Sequence, residues 1–440
     1  MVHTSTIGVL SAIILFFSSV LVVISKYLSK TVKIAKVSER QWTTKNVSKD
    51  VKACKITFSK EVINDLKNRL KNSRECRYSY CINNIMREFL DYWANNYNFQ
   101  KRELYINKYP HFITNIQGLN VHFVHVKPTC PGNKQILPLL ILHGWPSSVV
   151  EFYKIIPLLT TPRSEYDFVF EIVAPSLPGF GFSSVPTKPG FSCMHMSTIL
   201  KNLMLRLGHD KFYVQGNDWG IFINNIMSAV FSEHVLGIHS SACVLTDKAE
   251  NIFSSLSLAE INKQIISSNK ILANTKYFQT QAVNPETFGI GLNDSPAALA
   301  VYIVEKFLIG TNQTNINYDF LKKYSYDELI DNLMIYWTSE SITTAMKVYA
   351  EQFTEQKIEF CEQIVDLTQV KVPSAFAQFC SALSNSPTAL KKQYTNLLRT
   401  TYATQDVHFP AFEEPAYFAD NIWSNINDMK KWNNCGNESM

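Results

Sequence analysis

Residues 211–220 read Lys-Phe-Tyr-Val-Gln-Gly-Asn-Asp-Trp-Gly, and this stretch decides the fold. Its first half is a short apolar run that predicts a buried β-strand, and the apolar run over 221–231 predicts a helix. Gly216 and Gly220 flank Asp218 and let the backbone crowd together at a sharp turn. The stretch therefore predicts a strand, a tight turn carrying Asp218, and a helix whose N-terminal end favours a carboxylate.

The spacing Gly-x-Asp-x-Gly is that of the nucleophile elbow of the α/β-hydrolase fold, where serine usually occupies the centre. Asp218 in that position changes the chemistry. A carboxylate that attacks a saturated carbon leaves an alkyl ester, so it suits an epoxide or an alkyl halide rather than a peptide or an ester. By itself the pentapeptide fits an ordinary turn equally well, and its partners elsewhere in the chain favour the elbow.

The first expected partner is the loop His143-Gly-Trp-Pro146, which ends the apolar strand predicted over 138–142. In this fold, an N–H from the loop after that strand and the N–H after the nucleophile form the oxyanion hole. We therefore predict that Trp145 and Trp219 supply the two N–H groups. On its own the sequence Gly-x-Pro is typical of a simple turn. The predicted elbow at Asp218 is what favours a role for this loop in an oxyanion hole.

The second expected partner is a base late in the chain, because this fold places its histidine after the nucleophile in sequence. His408 follows the apolar run over 398–403, in the segment Asp406-Val-His-Phe-Pro-Ala-Phe-Glu-Glu-Pro415. A histidine taken at random is more often a surface or core group than a base. Position and context together indicate that His408 activates water.

Several stretches, taken together, make the chain similar to a known family. From about residue 40 onward it resembles the microsomal epoxide hydrolase family, and within it the insect juvenile hormone epoxide hydrolases. The stretches that carry the resemblance are Tyr92-Trp93, Tyr109–His125, His143–Pro146, Pro175–Ser183, Gly216–Gly220, Gly289–Phe307, Ile335–Trp337, Ser341–Thr344 and His408–Pro415. The set is specific, although no single stretch is. The resemblance implies an α/β-hydrolase fold with an inserted helical lid, and hydrolysis of small lipophilic epoxides to diols.

The resemblance also implies a role for each residue of the site. Asp218 matches the nucleophile of the family, and His408 matches its base. Tyr277 and Tyr349 match the two tyrosines that hydrogen-bond the epoxide oxygen and supply a proton. A phenol with a pKa near ~10 is a competent donor to a developing alkoxide. The surroundings of Tyr277 are less typical, because Lys276 stands where the family has glycine.

One position departs from the family in a way that bears on turnover. The triad acid of the family follows the strand over 373–379, and the residue at that position here is Ala382. Alanine cannot orient an imidazole, and loss of the acid in analogous triads costs on the order of 10⁴-fold in turnover. Asp247 and Asp406 are possible substitutes. We expect neither to replace the acid, because extended backbone separates Asp406 from His408 by roughly 6–7 Å.

Three functional classes stay open at the level of sequence. The first is an epoxide hydrolase, and the second is a catalytically impaired relative that binds or sequesters lipophilic epoxides, as Ala382 indicates. The third is a haloalkane dehalogenase, which shares the aspartate nucleophile. Dehalogenases hold the halide with tryptophan or asparagine donors, so the tyrosine pair Tyr277 and Tyr349 argues against that class.

Composition and charge argue against other partners. The chain has 46% hydrophobic and 18% charged residues, which is typical of a globular protein. Its net charge of +5 is modest, and no basic stripe indicates nucleic acid. Nine cysteines without a Cys-x-x-Cys or Cys/His ligand spacing predict free thiols in a reducing compartment. We therefore expect no cofactor and no metal.

Residues 6–24 are uncharged, mostly apolar and long enough to span a bilayer. They lack a basic segment before them and a clear cleavage site after them, which favours an anchor over a cleaved signal peptide. The cations follow on the C-terminal side, so the positive-inside rule places the catalytic part in the cytosol. The sequence thus predicts a single-pass protein of the endoplasmic reticulum, or microsomal, membrane.

The pattern predicts five segments along the chain. These are a transmembrane anchor over 1–25, an N-terminal helical segment over 26–110, a first part of the core over 111–250, a helical lid over 251–367, and a second part of the core over 368–440. Strands are predicted near 112–116, 120–126, 138–142, 169–174, 212–216, 372–379 and 398–403.

Overall fold

A nine-stranded sheet organises the chain. The computed structural model describes residues 40–42, 48–74, 84–242, 276–311, 318–352, 369–379, 387–403 and 407–437. The strands are β1 Lys52–Cys54, β2 His111–Ile116, β3 Leu119–Val126, β4 Gln135–Leu142, β5 Phe168–Pro175, β6 Phe212–Gly216, β7 Val235–Ser240, β8 Ser374–Gln378 and β9 Leu397–Tyr402. Their order across the sheet is β1-β2-β3-β5-β4-β6-β7-β8-β9.

The helices cover both the predicted N-terminal segment and the predicted lid. They are α1 Lys60–Lys71, α2 Asn84–Asn95, α3 Phe99–Ile106, α4 Ile156–Thr160, α5 Cys193–Arg206, α6 Trp219–Val230, α7 Lys276–Val283, α8 Pro285–Asp294, α9 Pro296–Gly310, α10 Tyr318–Lys323, α11 Tyr326–Ser339, α12 Ile342–Gln352, α13 Pro387–Gln393, α14 Pro410–Glu413 and α15 Pro415–Asn437. None of the helices in these parts of the chain is long and apolar enough to cross a membrane. The predicted anchor over 6–24 lies outside the described residues.

The first strands of the sheet run antiparallel. β2 and β3, which match the strands predicted near 112–116 and 120–126, form a hairpin whose two-residue turn has Gln117 at φ 51° and Gly118 at φ 86°. Positive φ at both turn residues gives a backbone twist that matches the flanking strands. The sequence predicts a helical segment over 26–110. Lys52–Cys54 within this segment form a strand, which the prediction missed. This strand pairs with β2 and so covers an otherwise open sheet edge.

The remaining strands are parallel and hold the candidate site. β4 pairs with both β5 and β6, and the parallel pairing continues through β7 and β8 to β9. β5 is buried along its full length, as its almost unbroken apolar sequence predicts for a parallel sheet covered on both faces. Because the carboxyl ends of parallel strands meet at one edge, the loops after β4, β6 and β8 come together there.

The lid helices are joined to the core through the loop after β4. Asn332 on α11 donates its Nδ2 to the carbonyl of Pro146 at 2.8 Å and accepts from the Ser148 hydroxyl at 2.8 Å. Tyr336, one turn further, donates to the carbonyl of Ser147 at 2.9 Å. α11 therefore fixes the loop that carries Trp145. The lid boundaries at 250/251 and 367/368 fall among residues outside the description, so they stay predictions.

Candidate active site

Asp218 occupies the turn between β6 and α6 with φ 49° and ψ −115°, a strained conformation for a residue other than glycine. The glycines on either side are required by close approach. A Cβ on Gly216 would lie 2.3 Å from the carbonyl oxygen of Gly220, and a Cβ on Gly220 would lie 2.6 Å from that of Leu142. The elbow geometry predicted from Gly-x-Asp-x-Gly is therefore confirmed.

Two backbone N–H groups converge on the Asp218 carboxylate. The N–H of Trp145 donates to Asp218 Oδ1 at 2.8 Å, and the N–H of Trp219 donates to the same carboxylate. Gly144 allows this approach, because a Cβ there would lie 2.1 Å from Asp218 Oδ1. Both N–H groups that the sequence assigned to an oxyanion hole thus point at one carboxylate.

His408 approaches the other carboxylate oxygen. Its Nε2 lies 3.7 Å from Asp218 Oδ2. The neighbours of His408 hold it in place: Val407 donates its N–H to the carbonyl of Phe379 at 3.0 Å, just after β8. On the other side Phe409 stacks on Phe307 of the lid, with ring centroids 4.3 Å apart. The structure therefore brings His408 to Asp218 from a segment far away in sequence.

The two predicted tyrosines lie among the aromatic rings above Asp218. The ring of Tyr277 is 5.1 Å from that of Trp145, and the ring of Tyr349 is 4.7 Å from that of Trp219. The two tyrosine rings are 6.3 Å apart. Burial raises the pKa of each phenol well above its ordinary value, and the charge of Asp218 adds to the rise. Both groups therefore keep their protons at neutral pH.

Opposing effects act on the pKa of Asp218. Burial raises the pKa of this carboxyl above its ordinary value. His408, when its ring is protonated, works in the other direction by favouring the anion, and so do the N–H groups of Trp145 and Trp219. The Asp218 side chain keeps 17% of its surface exposed, and the charge of its carboxylate depends on fixed donors.

A second buried carboxyl, Glu151, lies beside this site and was missed by sequence reasoning. It accepts from Asn217 Nδ2 at 2.7 Å and from the Ser147 hydroxyl. Burial raises its pKa to about 7, in spite of these two donors. Glu151 thus connects the residue before Asp218 with the loop that carries Trp145. An acidic residue within the apolar turn Val149–Phe152 was the only signal for it in the sequence.

His143 ties the same loop to the end of β5. Its Nδ1 is 2.9 Å from the carbonyl of Gly144, and its Nε2 accepts the N–H of Leu177 at 3.2 Å. These partners require a neutral ring that donates from Nδ1. Burial agrees with this, because it lowers the pKa of His143 to about 4. His143 therefore acts as a structural link and not as a second base.

The predictions about the triad acid concern residues outside the description. Ala382 follows β8 at the position where the family has its acid, and Asp247 and Asp406 are the possible substitutes. All three lie in the undescribed stretches. That the acid position of the family falls on Ala382, and that neither aspartate replaces the acid, both stay predictions.

Fold and site together define an α/β-hydrolase with a carboxylate at the elbow. The family model described as alpha/beta hydrolase fold matches residues 138–266, and the one described as epoxide hydrolase N terminus matches residues 51–152. Juvenile hormone epoxide hydrolase 1 of Ctenocephalides felis is 40% identical over 410 residues, covering 88% of each chain. Epoxide hydrolase 1 of Sus scrofa is 35% identical over 400 residues, covering 84% of this chain and 87% of the relative.

A solved structure agrees with these relatives. The crystal structure of juvenile hormone epoxide hydrolase from the silkworm Bombyx mori aligns with a TM-score of 0.83 and 36% identity, covering 90% of this chain and 99% of that one. The chain belongs to the epoxide hydrolase family that contains these juvenile hormone and microsomal enzymes, and it is an epoxide hydrolase. This membership decides against the haloalkane dehalogenase alternative.

Proposed function

We propose that the chain opens lipophilic epoxides through a covalent ester on Asp218. The observation that carries this proposal is the different environment of the two carboxylate oxygens. Oδ1 accepts the N–H of Trp145 at 2.8 Å, whereas Oδ2 faces His408 Nε2 at 3.7 Å. Oδ2 is therefore the attacking atom. It forms a bond to a ring carbon while the C–O bond of the epoxide breaks, and Tyr277 or Tyr349 gives its proton to the oxygen that leaves.

The second step returns the enzyme to its starting state. His408 takes a proton from water, and the oxygen of that water attacks the ester carbonyl carbon of Asp218. Negative charge develops on Oδ1, where the N–H groups of Trp145 and Trp219 stabilise it. Collapse of this intermediate expels the diol, which takes the proton from His408. The carboxylic acid left on Asp218 then gives its proton back to the tyrosinate.

The substrate class that we infer is a small lipophilic epoxide, either a juvenile hormone or a xenobiotic epoxide. The insect relatives, which are juvenile hormone epoxide hydrolases, support the first, and the mammalian epoxide hydrolase 1 leaves the class broader. The walls around Asp218 are aromatic: the Trp145, Trp219 and Tyr349 side chains are all buried. Such a surface favours apolar ligands with one polar group at the reacting end.

A panel of epoxides that includes juvenile hormone tests this proposal. Purified protein should release the corresponding diol, and Asp218→Ala should release none because no ester can form. The variant must keep the thermal stability of the wild type for this result to count. If no epoxide in the panel yielded a diol or an Asp218 adduct, the proposed activity would be wrong.

A second candidate function is an impaired hydrolase that binds or sequesters lipophilic epoxides. The feature that favours it is Ala382, which leaves His408 without the acid of the family. Ester formation does not need that acid, whereas ester hydrolysis does, so the covalent intermediate should accumulate. Intact-mass spectrometry after mixing with an epoxide measures the adduct. Rapid turnover without an adduct would contradict this candidate.

Ala382→Glu separates the two candidates further. If Ala382 is the only defect, this substitution should restore ester hydrolysis and remove the adduct. Near-normal turnover of the unmodified chain that collapses in Asp406→Asn would show that Asp406 has replaced the acid. A structure with an Asp406 oxygen within about 3.2 Å of a His408 ring nitrogen would lead to the same conclusion.

We also propose that residues 6–24 anchor the chain in the endoplasmic reticulum membrane with the catalytic part in the cytosol. The uncharged apolar stretch and the lysines that follow it support this orientation. In microsomes the catalytic part should then be digested by added protease without detergent. The sequons Asn46-Val-Ser, Asn312-Gln-Thr and Asn437-Glu-Ser should stay unmodified. A glycan on any of the three asparagines would place the catalytic part in the lumen instead.

A further inference from the structure

Three ligand-type side chains meet at the end of the sheet opposite to Asp218. His125 lies on β3, Glu171 on β5, and His209 in the connection between α5 and β6. His125 pairs with Val173 across the two strands, so it lies one pleat away from Glu171. His209 comes shortly before β6 begins, whereas Asp218 follows the end of that strand. The cluster is therefore separate from the candidate active site.

The side chains in this cluster converge on a single point. His125 Nε2 lies 2.7 Å from Glu171 Oε1, and His209 Nε2 lies 3.3 Å from the same oxygen. One ligand atom from each of the three residues lies within 4.8 Å of the ligand atoms of the other two. Two imidazole nitrogens and one carboxylate oxygen are a donor set that zinc and similar divalent ions bind in proteins.

We propose that His125, Glu171 and His209 form a binding site for one divalent transition-metal ion of the zinc type. Ligand bonds of ~2.0–2.2 Å in a tetrahedral site separate the ligand atoms by roughly 3.4 Å. The 3.3 Å separation of His209 from Glu171 already matches this value. The 2.7 Å distance between His125 and Glu171 would lengthen slightly, because two bonds to the metal would replace the hydrogen bond between them.

Part of the cluster is exposed, so solvent can supply a fourth ligand. The His125 and His209 side chains keep 12% and 15% of their surface exposed, so water has a route to the cluster. The Nε2 atom of His209 is itself shielded from solvent and is poorly aligned for a hydrogen bond to Glu171. A metal would give this nitrogen a partner. Lys127 lies 3.8 Å from Glu171 Oε1, but its side chain is 72% exposed and free to turn into solvent.

An ion here would connect three parts of the core that are distant in sequence. It would join the antiparallel strand β3 to the parallel strand β5 and to the connection that leads into β6. Because the three ligands come together only in the folded chain, binding should stabilise the fold. The expected role is structural, and epoxide turnover at Asp218 should be affected only through stability.

Metal binding by untagged full-length protein, first treated with a chelator, tests the proposal. Titration calorimetry with Zn²⁺ should show one saturable site per chain, and Zn²⁺ should raise the melting temperature. Co²⁺ should give visible absorption bands of a nitrogen and oxygen site, without the sulfur charge-transfer bands that binding to the cysteines would produce. His125→Asn and His209→Asn should each weaken Zn²⁺ binding by at least about 10- to 100-fold, the loss that even outer-shell substitutions cause.

His234→Asn is the matched control. His234 is also a partly buried histidine beside a carboxylate, with its Nδ1 2.8 Å from the carbonyl of Asp210, but it lies outside the cluster. Its substitution should leave Zn²⁺ affinity unchanged. The proposal is overturned if no saturable binding occurs, if His125→Asn and His209→Asn bind Zn²⁺ as the wild type does, or if Co²⁺ reports sulfur ligands. Both variants replace partly exposed side chains, so we expect them to fold. Their melting temperatures without metal check this independently.

Discussion

Asp218 and His408 face each other from two regions that are built differently. The elbow that carries Asp218 is held by backbone: glycines packed against carbonyls, and the N–H of Trp145 on the carboxylate at 2.8 Å. The segment that carries His408 is held by a backbone hydrogen bond from Val407 to Phe379 and by packing, with Phe409 stacked 4.3 Å from Phe307 of the lid. Backbone contacts leave little freedom, whereas the position of the base depends on how the lid and the last strands pack.

This difference assigns the two chemical steps to different parts of the molecule. Ester formation needs Asp218 and the tyrosines, which lie against the rigid elbow. Ester hydrolysis also needs His408, and we propose that the acid partner of this base is missing at Ala382. The comparison therefore predicts that changes on the base side slow the second step alone, while changes on the elbow side slow both.

The largest effect is expected for His408→Gln. Glutamine cannot take a proton from water, and a positioned base contributes up to ~10⁴-fold, so ester hydrolysis should fall on that order. Ester formation should continue at the rate of the wild type. Single-turnover kinetics with mass detection of the Asp218 adduct separates the two rates.

The contrast between the two regions is lost if ester formation in this variant slows as much as hydrolysis. That outcome would mean that the base side also controls the position of Asp218. His234→Gln, a substitution far from the site, serves as the control for general effects of replacing a histidine.

The next effect is expected for the double substitution Tyr277→Phe with Tyr349→Phe. Without either proton donor the leaving oxygen must depart as an alkoxide, so ester formation should slow by about 10³-fold. The rate of adduct appearance measures this directly. Tyr302→Phe is the matched control, because Tyr302 contacts the same Trp145 ring at 5.8 Å and its hydroxyl is bound to Gln281. If Tyr302→Phe slowed ester formation equally, Tyr277 and Tyr349 would have no special role as proton donors.

The elbow side could be predicted from the sequence because its parts are local. Gly-x-Asp-x-Gly between a strand and a helix specifies the turn, and the position of Trp145 follows from the end of β4. His408 was found through chain order and a family motif, because no local rule places it against Asp218. Strand β1 was missed, since a three-residue strand exists only through its pairing with β2.

Other features were beyond sequence reasoning for a physical reason. Glu151 becomes notable only when folding removes it from water and places Asn217 against it at 2.7 Å. The cluster of His125, Glu171 and His209 has no ligand spacing in the sequence, because strand pairing and a helix connection bring its members together. Such sites depend on tertiary contacts between residues that no periodic pattern connects.

A smaller effect on activity is expected for Gly144→Ala. A Cβ at this position would lie 2.1 Å from Asp218 Oδ1, so the loop or the carboxylate must move. Moving a catalytic group by roughly 1 Å costs about 10²-fold, and here both steps should slow together. Gly291→Ala is the matched control, since nothing lies within 4 Å of a Cβ built there. If the variant slowed hydrolysis alone, the loop would serve only the second step.

The smallest effect concerns Glu151→Gln, and it should appear in stability rather than in rate. The glutamine has nearly the same shape, can accept from Asn217, and stays neutral at every pH. Ser147 can then donate to the carbonyl of Gly144, which is 3.3 Å from its hydroxyl. The substitution therefore removes a titration with little change in packing.

The pH dependence of this variant follows from the direction of the shift. Burial raises the pKa of Glu151 from 4.5 to about 7 in the folded chain, so the folded state binds the proton more tightly than the unfolded state does. This contribution to stability is complete below about pH 4.5 and is lost as the pH rises through about 7. The unfolding free energy of Glu151→Gln, relative to wild type, should therefore increase from about pH 5 to about pH 8, by on the order of 3 kcal/mol at most. Urea unfolding at both pH values measures it, with Glu286→Gln at a 67% exposed side chain as the control. A difference that is the same at both pH values would show that Glu151 stays ionised beside Asp218, and that the elbow tolerates two buried charges.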